Sequence, residues 1–286
     1  MAAITTTPLR YPVDAFKSVR GVLAEFGNHL VFDAKVMSRV FSDVIFRLRW
    51  RSQVAEHVSN IALGAGAWIF GSGMVFVVFA MSFFTGTEVG LQGFKGLEQI
   101  GAEAFTGLVG SFANVREVTP LIAATALAAQ VGAGFTAEIG AMRISDEIDA
   151  LEVMSVPPLS YLIATRVAAT MIALVPIYLI SLIASFWATK LVTTVFFGLS
   201  PGVYDYYFRL YLPPIDILYS VIKMIVFTIV VTLIHCYYGY HASGGPAGVG
   251  VAVGRAIRAS IVTIVVINFG LSLLFWGDGS TVTLTG

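Results

Sequence analysis

Glu138-Ile-Gly-Ala-Met-Arg-Ile-Ser-Asp-Glu-Ile-Asp-Ala-Leu-Glu-Val-Met154 places five acids and one base in seventeen residues of a 286-residue chain whose charged fraction is 12%. Long apolar segments flank it on both sides. Charge at this density is too costly for hydrocarbon, so the island marks a point where a buried chain reaches water. It is also patterned. Ala141, Ile144, Ile148 and Leu151 recur at helical spacing, while Arg143, Asp146, Glu147 and Glu152 supply charge around the rest of the helix. Pro157-Pro158 stops the helix. The reading is a short amphipathic helix over 138–155, held between two spans and suited to docking a cytoplasmic partner.

Outward from the island the chain is apolar. Hydrophobic residues make up 57% of it and net charge is zero, which leaves too little polar surface for a soluble domain and no global charge with which to attract nucleic acid. The single cysteine, Cys236, excludes an intramolecular disulfide and a thiolate metal cluster. No compact apolar leader with a cleavage site is read in the first thirty residues. Residues 13–50 pair an apolar face (Phe16, Val19, Leu23, Phe26, Met37, Val40, Val44) with Lys17, Arg20, Lys35, Arg39, Arg47, Arg49 and Arg51, the pattern of elbow helices lying at an anionic leaflet.

Five stretches near the twenty residues that cross a bilayer follow, at about 58–84, 116–137, 160–189, 215–238 and 254–276. Residues 85–115, with Glu88, Lys95, Glu98 and Glu103, read as a break in the membrane part or as a helix lining a cavity. Eight of the seventeen basic residues precede position 52. With Arg143, Arg166, Arg255 and Arg258 they put the N-terminus and the island in the cytoplasm, and the C-terminal tail on the other side. The expected organisation is an N-terminal interfacial region (1–57), a membrane domain (58–277) and an outer tail (278–286).

Two features within the apolar part carry charge. Lys223 lies inside the fourth span, where it either faces a cavity with Glu117 or Asp216 as partner or snorkels to the headgroups. Arg116-Glu117 opens the second span before Pro120. It is either a polar pair at a substrate cavity or a helix start set by the dipole and interfacial phosphates. No phosphate-binding G-x-x-x-x-G-K-[ST] loop exists. This chain therefore cannot hydrolyse a nucleotide by that mechanism, and an active transporter without an engine of its own needs an external one.

Thr136–Met154, continuing to Pro157 and Arg166, resembles the signature of the MlaE/YrbE permeases, as do Gly90-Leu-Gln-Gly93, Arg116-Glu-Val-Thr-Pro120 and Gly132-Ala-Gly134. The N-terminus and tail look most like YrbE subunits, of the B type, from actinobacterial Mce systems. The resemblance implies an all-α integral membrane permease of an ATP-driven lipid transporter in the bacterial inner membrane. It implies no cofactor on this chain, with ATP and magnesium on a cytoplasmic ABC ATPase. It also implies a second YrbE-like permease, a periplasmic MCE-domain assembly, and a lipid cargo such as a fatty or mycolic acid. The island becomes the coupling helix, with Glu138, Met142, Arg143, Ile144, Asp146, Glu147, Ile148, Asp149, Leu151 and Glu152 at the ATPase. The lipid pocket falls around Val89, Leu97, Ile100, Arg116, Glu117 and Lys223. Two rival expectations remain: an ion-coupled secondary transporter using Lys223 and Glu117, and a non-transporting scaffold for MCE proteins.

Overall fold

The computed structural model describes residues 27–64 and 73–277. The expected amphipathic pattern before residue 27, Gly66 and Gly71 of the first expected span, and the tail from 278 lie outside the described residues. No strand occurs among those described, and five helices are long and apolar enough to cross a membrane.

Helix α1 (27–39) runs into a π-turn at Val40–Phe46, and α2 (Arg51–Leu63) follows. Phe32, Val36, Val40 and Val44 are buried on the bundle, whereas Phe41, Ile45, Phe46 and Leu48 face outward beside Arg39, Arg47 and Arg49. This two-sided apolar surface suits an element wedged between protein and acyl chains. Trp50 ties the elbow down: its Nε1 donates to Ser160 Oγ at 3.1 Å. The expected boundary at residue 57 falls inside α2.

The first span is α3 (Met74–Glu98), not 58–84. The stretch left open between a break and a cavity-lining helix, 85–115, continues this helix as far as Glu98, and its charges Glu88, Lys95 and Glu98 are exposed. Glycine sets its packing. A Cβ at Gly86 would lie 2.4 Å from the Ser185 carbonyl oxygen, so the glycine allows backbone-to-backbone approach to the third span. Ser82 and Ser181 bond across the same seam at 2.6 Å, and Thr189 Oγ1 donates to the Gly86 carbonyl at 2.8 Å.

The second span is much longer than expected. Helix α4 (Glu103–Ile144) has 42 residues, roughly 60 Å at 1.5 Å each, about twice a bilayer's hydrocarbon thickness. It carries π-turns at Asn114–Val118 and Ala128–Gly132. The island is consequently divided. Residues 138–144 complete α4, the chain turns at Ser145 and Asp146, and a separate helix α5 (Glu147–Val153) follows. Asp146 takes a left-handed conformation (φ 59°), which aspartate tolerates better than most residues.

The third span, α6 (Leu159–Phe196), sits at the centre of the bundle. Its buried Thr165 and Thr170 return their hydroxyls to carbonyls one turn back, while Ser185 accepts from Thr119 at 3.0 Å. A short helix α7 (Pro201–Leu210) leads to α8 (Pro214–Tyr240) and α9 (Gly245–Trp276), the fourth and fifth spans.

Candidate functional site

Arg116 and Glu117 sit in the first π-turn of α4, a distortion that recurs at functional positions because it frees backbone groups. Pro120 adds to this effect. It has no N–H to give the carbonyl four residues back, so the Arg116 oxygen is open to another donor. Lys223 of α8 donates to it at 2.6 Å. The same ammonium donates to Ser272 Oγ of α9 at 2.7 Å and faces Glu117 Oε1 at 3.4 Å. Ser272 Oγ in turn donates to Glu117 Oε1 at 2.5 Å, and Asn268 donates to the other carboxylate oxygen at 2.6 Å.

Alongside, Arg116 makes two bonds to Asp216 Oδ2, at 3.1 and 2.8 Å. The Trp276 indole donates to Asp216 Oδ1 at 3.0 Å, and the guanidinium lies 3.8 Å from the centre of the Phe112 ring. Two cations and two anions from α4 and α8, with neutral donors from α9, thus form one neutral network. The Lys223 side chain is 0% exposed; it is embedded in the protein and does not snorkel. Of its two candidate partners, Glu117 faces it and Asp216 is held by Arg116. Asn268, Ser272 and Trp276 were absent from the sequence reading. Their only signal was polarity recurring every fourth residue (268, 272, 276) on an apolar helix.

The network forms one wall of a cleft of about 420 Å³, lined mainly by apolar groups of Leu108, Val109, Phe112, Ala113 and Trp276, with Arg116, Glu117 and Ser272. Apolar walls closing on a few fixed polar groups are the usual form of a small-molecule site. Val89 and Leu97 are half-buried on α3 and Ile100 is exposed just after it; none of the three lines this cleft.

At the opposite end of α4 the island residues take distinct positions. Ile148 is fully buried and roots α5 in the bundle, with Met142 and Leu151 packed partly against the same core. Ile144 is half-buried and Ala141 is exposed, so the expected stripe does not extend to Ala141. Asp146, Glu147, Asp149 and Glu152 face solvent. Asp149 accepts from Arg143 at 2.7 Å, and Glu147 accepts from Ser145 at 2.9 Å. Glu138 turns instead to the third span, where the buried Arg166 donates to it at 3.0 Å and to the Leu162 carbonyl at 2.7 Å. Nearby on α2, burial and then the charge of Arg166 hold the His57 imidazole below its usual range. Val153 and Met154 are 86% and 64% exposed, an apolar tip that the helical-stripe reading passed over.

Fold and site define a polytopic membrane protein with a buried ion-pair network at one end of its longest helix and a rooted acidic helix at the other. Residues 63–274 match the family model Permease MlaE, and the chain belongs to that family, the permeases of ABC-type transporters. It is 33% identical over 200 residues to the "Probable ABC transporter permease protein RP096" of Rickettsia prowazekii, covering 70% of this chain and 77% of that one. A Synechocystis protein of the same description is 30% identical over 199 residues, 69% of this chain and 76% of its own. The chloroplastic protein Trigalactosyldiacylglycerol 1 of Arabidopsis thaliana is 31% identical over 195 residues, 68% of this chain and 56% of that protein.

Proposed function

We propose that this chain is the permease subunit of an ATP-driven lipid transporter of the Mce type, acting in the bacterial inner membrane with its N-terminus in the cytoplasm. The carrying observation is the cleft at Arg116 and Glu117. Its apolar walls suit acyl chains, and its polar network suits the head of an amphiphile such as a fatty or mycolic acid. The Arabidopsis relative bears the name of a glycolipid, which favours a lipid cargo.

Helix α5 is the coupling helix, where the exposed acids Asp146, Glu147 and Glu152 and the apolar tip Val153–Met154 meet a cytoplasmic ABC ATPase. Ile148 transmits the ATPase's push into the bundle. The push reaches the cleft because α4 runs without interruption from island to network, and its π-turns are the points at which the helix can adjust. ATP and magnesium bind the partner, and no bond of the cargo is broken here. A second YrbE-like chain completes the membrane part, and a periplasmic MCE-domain assembly receives or delivers the lipid on the outer side.

Gentle affinity purification from the native membrane, with mass spectrometry of proteins and lipids, tests this reading. The expected result is recovery of a nucleotide-binding subunit, a second permease, MCE-domain proteins and an enriched lipid. Isolation of the chain alone would favour the ion-coupled reading built on Lys223 and Glu117.

A further inference from the structure

A second cavity, of about 330 Å³, lies at the island end of the bundle, where the last turn of α8 meets the first turns of α9. Its end of the molecule is fixed by Gly140 of α4, where an added Cβ would lie 3.0 Å from Val249 and 3.3 Å from Ala242. Tyr237, Tyr238, His241, Ser243, Val251 and Arg255 line it, and no acid does. His241 Nδ1 donates to the Tyr237 carbonyl at 2.9 Å, which fixes the ring. The His29 ring of α1 lies tilted by 30° against Tyr237 with ring centres 3.3 Å apart, and Phe32 meets Tyr237 and His241 edge-on, so the elbow helix supports these rings from the side. Asp149 and Glu152 lie toward Tyr240 and Asp33 of α1 lies toward Cys236, and none of the three lines the cavity. Arg255 is exposed, and no ion pair engages it among the described residues.

Helix length sets the depth. α9 has 32 residues, about 48 Å, against about 30 Å of hydrocarbon. Its only charges are Arg255 and Arg258, and from Ala259 to Trp276 it carries none. The uncharged stretch fills the bilayer core, which puts Arg255, and the cavity with it, at the headgroup level of the island-side leaflet.

We infer that this cavity binds the phosphate of an anionic membrane lipid in that leaflet. One uncompensated guanidinium matches one phosphodiester charge, while the tyrosine and serine hydroxyls donate to its remaining oxygens. The volume takes a headgroup and leaves the acyl chains along α9. A choline or ethanolamine group would find no carboxylate here, and His29 already covers a face of Tyr237. Basic pockets between spans at the cytoplasmic surface are established places for such headgroups. The site is separate from the cleft at Arg116 and does not depend on what that cleft carries.

The full-length chain in nanodiscs of mixed phosphatidylglycerol and phosphatidylcholine, released for native mass spectrometry, tests the assignment. Wild type is expected to retain phosphatidylglycerol in preference to phosphatidylcholine. Arg255→Gln is expected to lower that preference about fivefold, the worth of one basic side chain at an anionic surface. Arg255→Lys should recover most of it, and Arg258→Gln should lower it less. The same series repeated with inorganic phosphate separates the sources: displacement of the lipid by millimolar phosphate would make this a free-anion site and overturn the lipid assignment. Unchanged retention in Arg255→Gln would overturn it as well. So would loss of a co-purified ATPase in Arg255→Gln with lipid retention intact, because the arginine would then serve a protein contact.

Discussion

Replacing Lys223 by Met removes one charge from a balanced set of four. The ammonium gives up its bonds to the Arg116 carbonyl and Ser272 and its contact with Glu117. The Arg116 carbonyl cannot take up the ordinary helical bond four residues on, since Pro120 has no N–H to offer. Breaking a buried pair by removing one partner costs about 3–5 kcal/mol. Here the Glu117 side chain is 43% exposed and keeps Asn268 and Ser272 as donors, so part of that penalty is relieved by water. The expected loss is about 2 kcal/mol. Lys223→Met with Glu117→Gln restores neutrality and should cost less than the sum of the two single changes, by about 1 kcal/mol or more. Equilibrium unfolding in mixed micelles, run as a double-mutant cycle, measures both quantities. Wild-type stability in Lys223→Met, or strict additivity of the pair, would refute the network and return Lys223 to the snorkelling role.

Three further outcomes follow from other parts of the structure. Gly86→Ala should destabilise by about 1–3 kcal/mol by forcing α3 away from the Ser185 backbone, whereas Gly96→Ala on the same helix meets nothing within 4 Å and should be neutral; equal unfolding midpoints for the two would contradict the packing. Val153→Asp and Met154→Asp should abolish ATPase association in pull-down while leaving the unfolding midpoint unchanged, and full association would remove the exposed tip from the docking surface. Burial raises the Asp33 carboxyl to about 6 and leaves its Oδ1 without a hydrogen-bond partner. Its contribution favours the fold while the acid is protonated and is lost as pH rises through 6. Asp33→Asn should therefore gain about 1–2 kcal/mol at pH 7.5 after allowance for solvent screening, and little at pH 4; parallel pH–stability curves for wild type and variant would contradict this.

The residues that announced the protein from sequence were those whose chemistry conflicts with hydrocarbon. The acidic island, Arg116-Glu117 and Lys223 all stood out against apolar surroundings, and the structure joins the last three in one network. What stayed hidden depended on contacts between helices. That Arg116 takes Asp216 and leaves Lys223 to Glu117 is decided by how α4, α8 and α9 pack, and the sequence alone offered Glu117 and Asp216 alike as partners for Lys223. The start of the first span was misplaced because hydropathy rises before residue 74, and the Glu88 and Lys95 charges left a break and a cavity-lining helix both open although they lie on the exposed side of a continuous helix. The island's division at Asp146 was masked by helical periodicity running through the turn. The Ser145-Asp146 pair, two residues that readily leave helical geometry, was its only local sign.

Lipid movement in proteoliposomes tests the central claim most directly. This chain, purified with its partners and reconstituted with a fluorescent fatty acid, should transfer the lipid with ATP. It should stop with a non-hydrolysable analogue, and also when Asp146, Glu147 and Glu152 are reversed to Lys. Transfer by the chain alone, driven by a proton or sodium gradient and indifferent to ATP, would contradict the account.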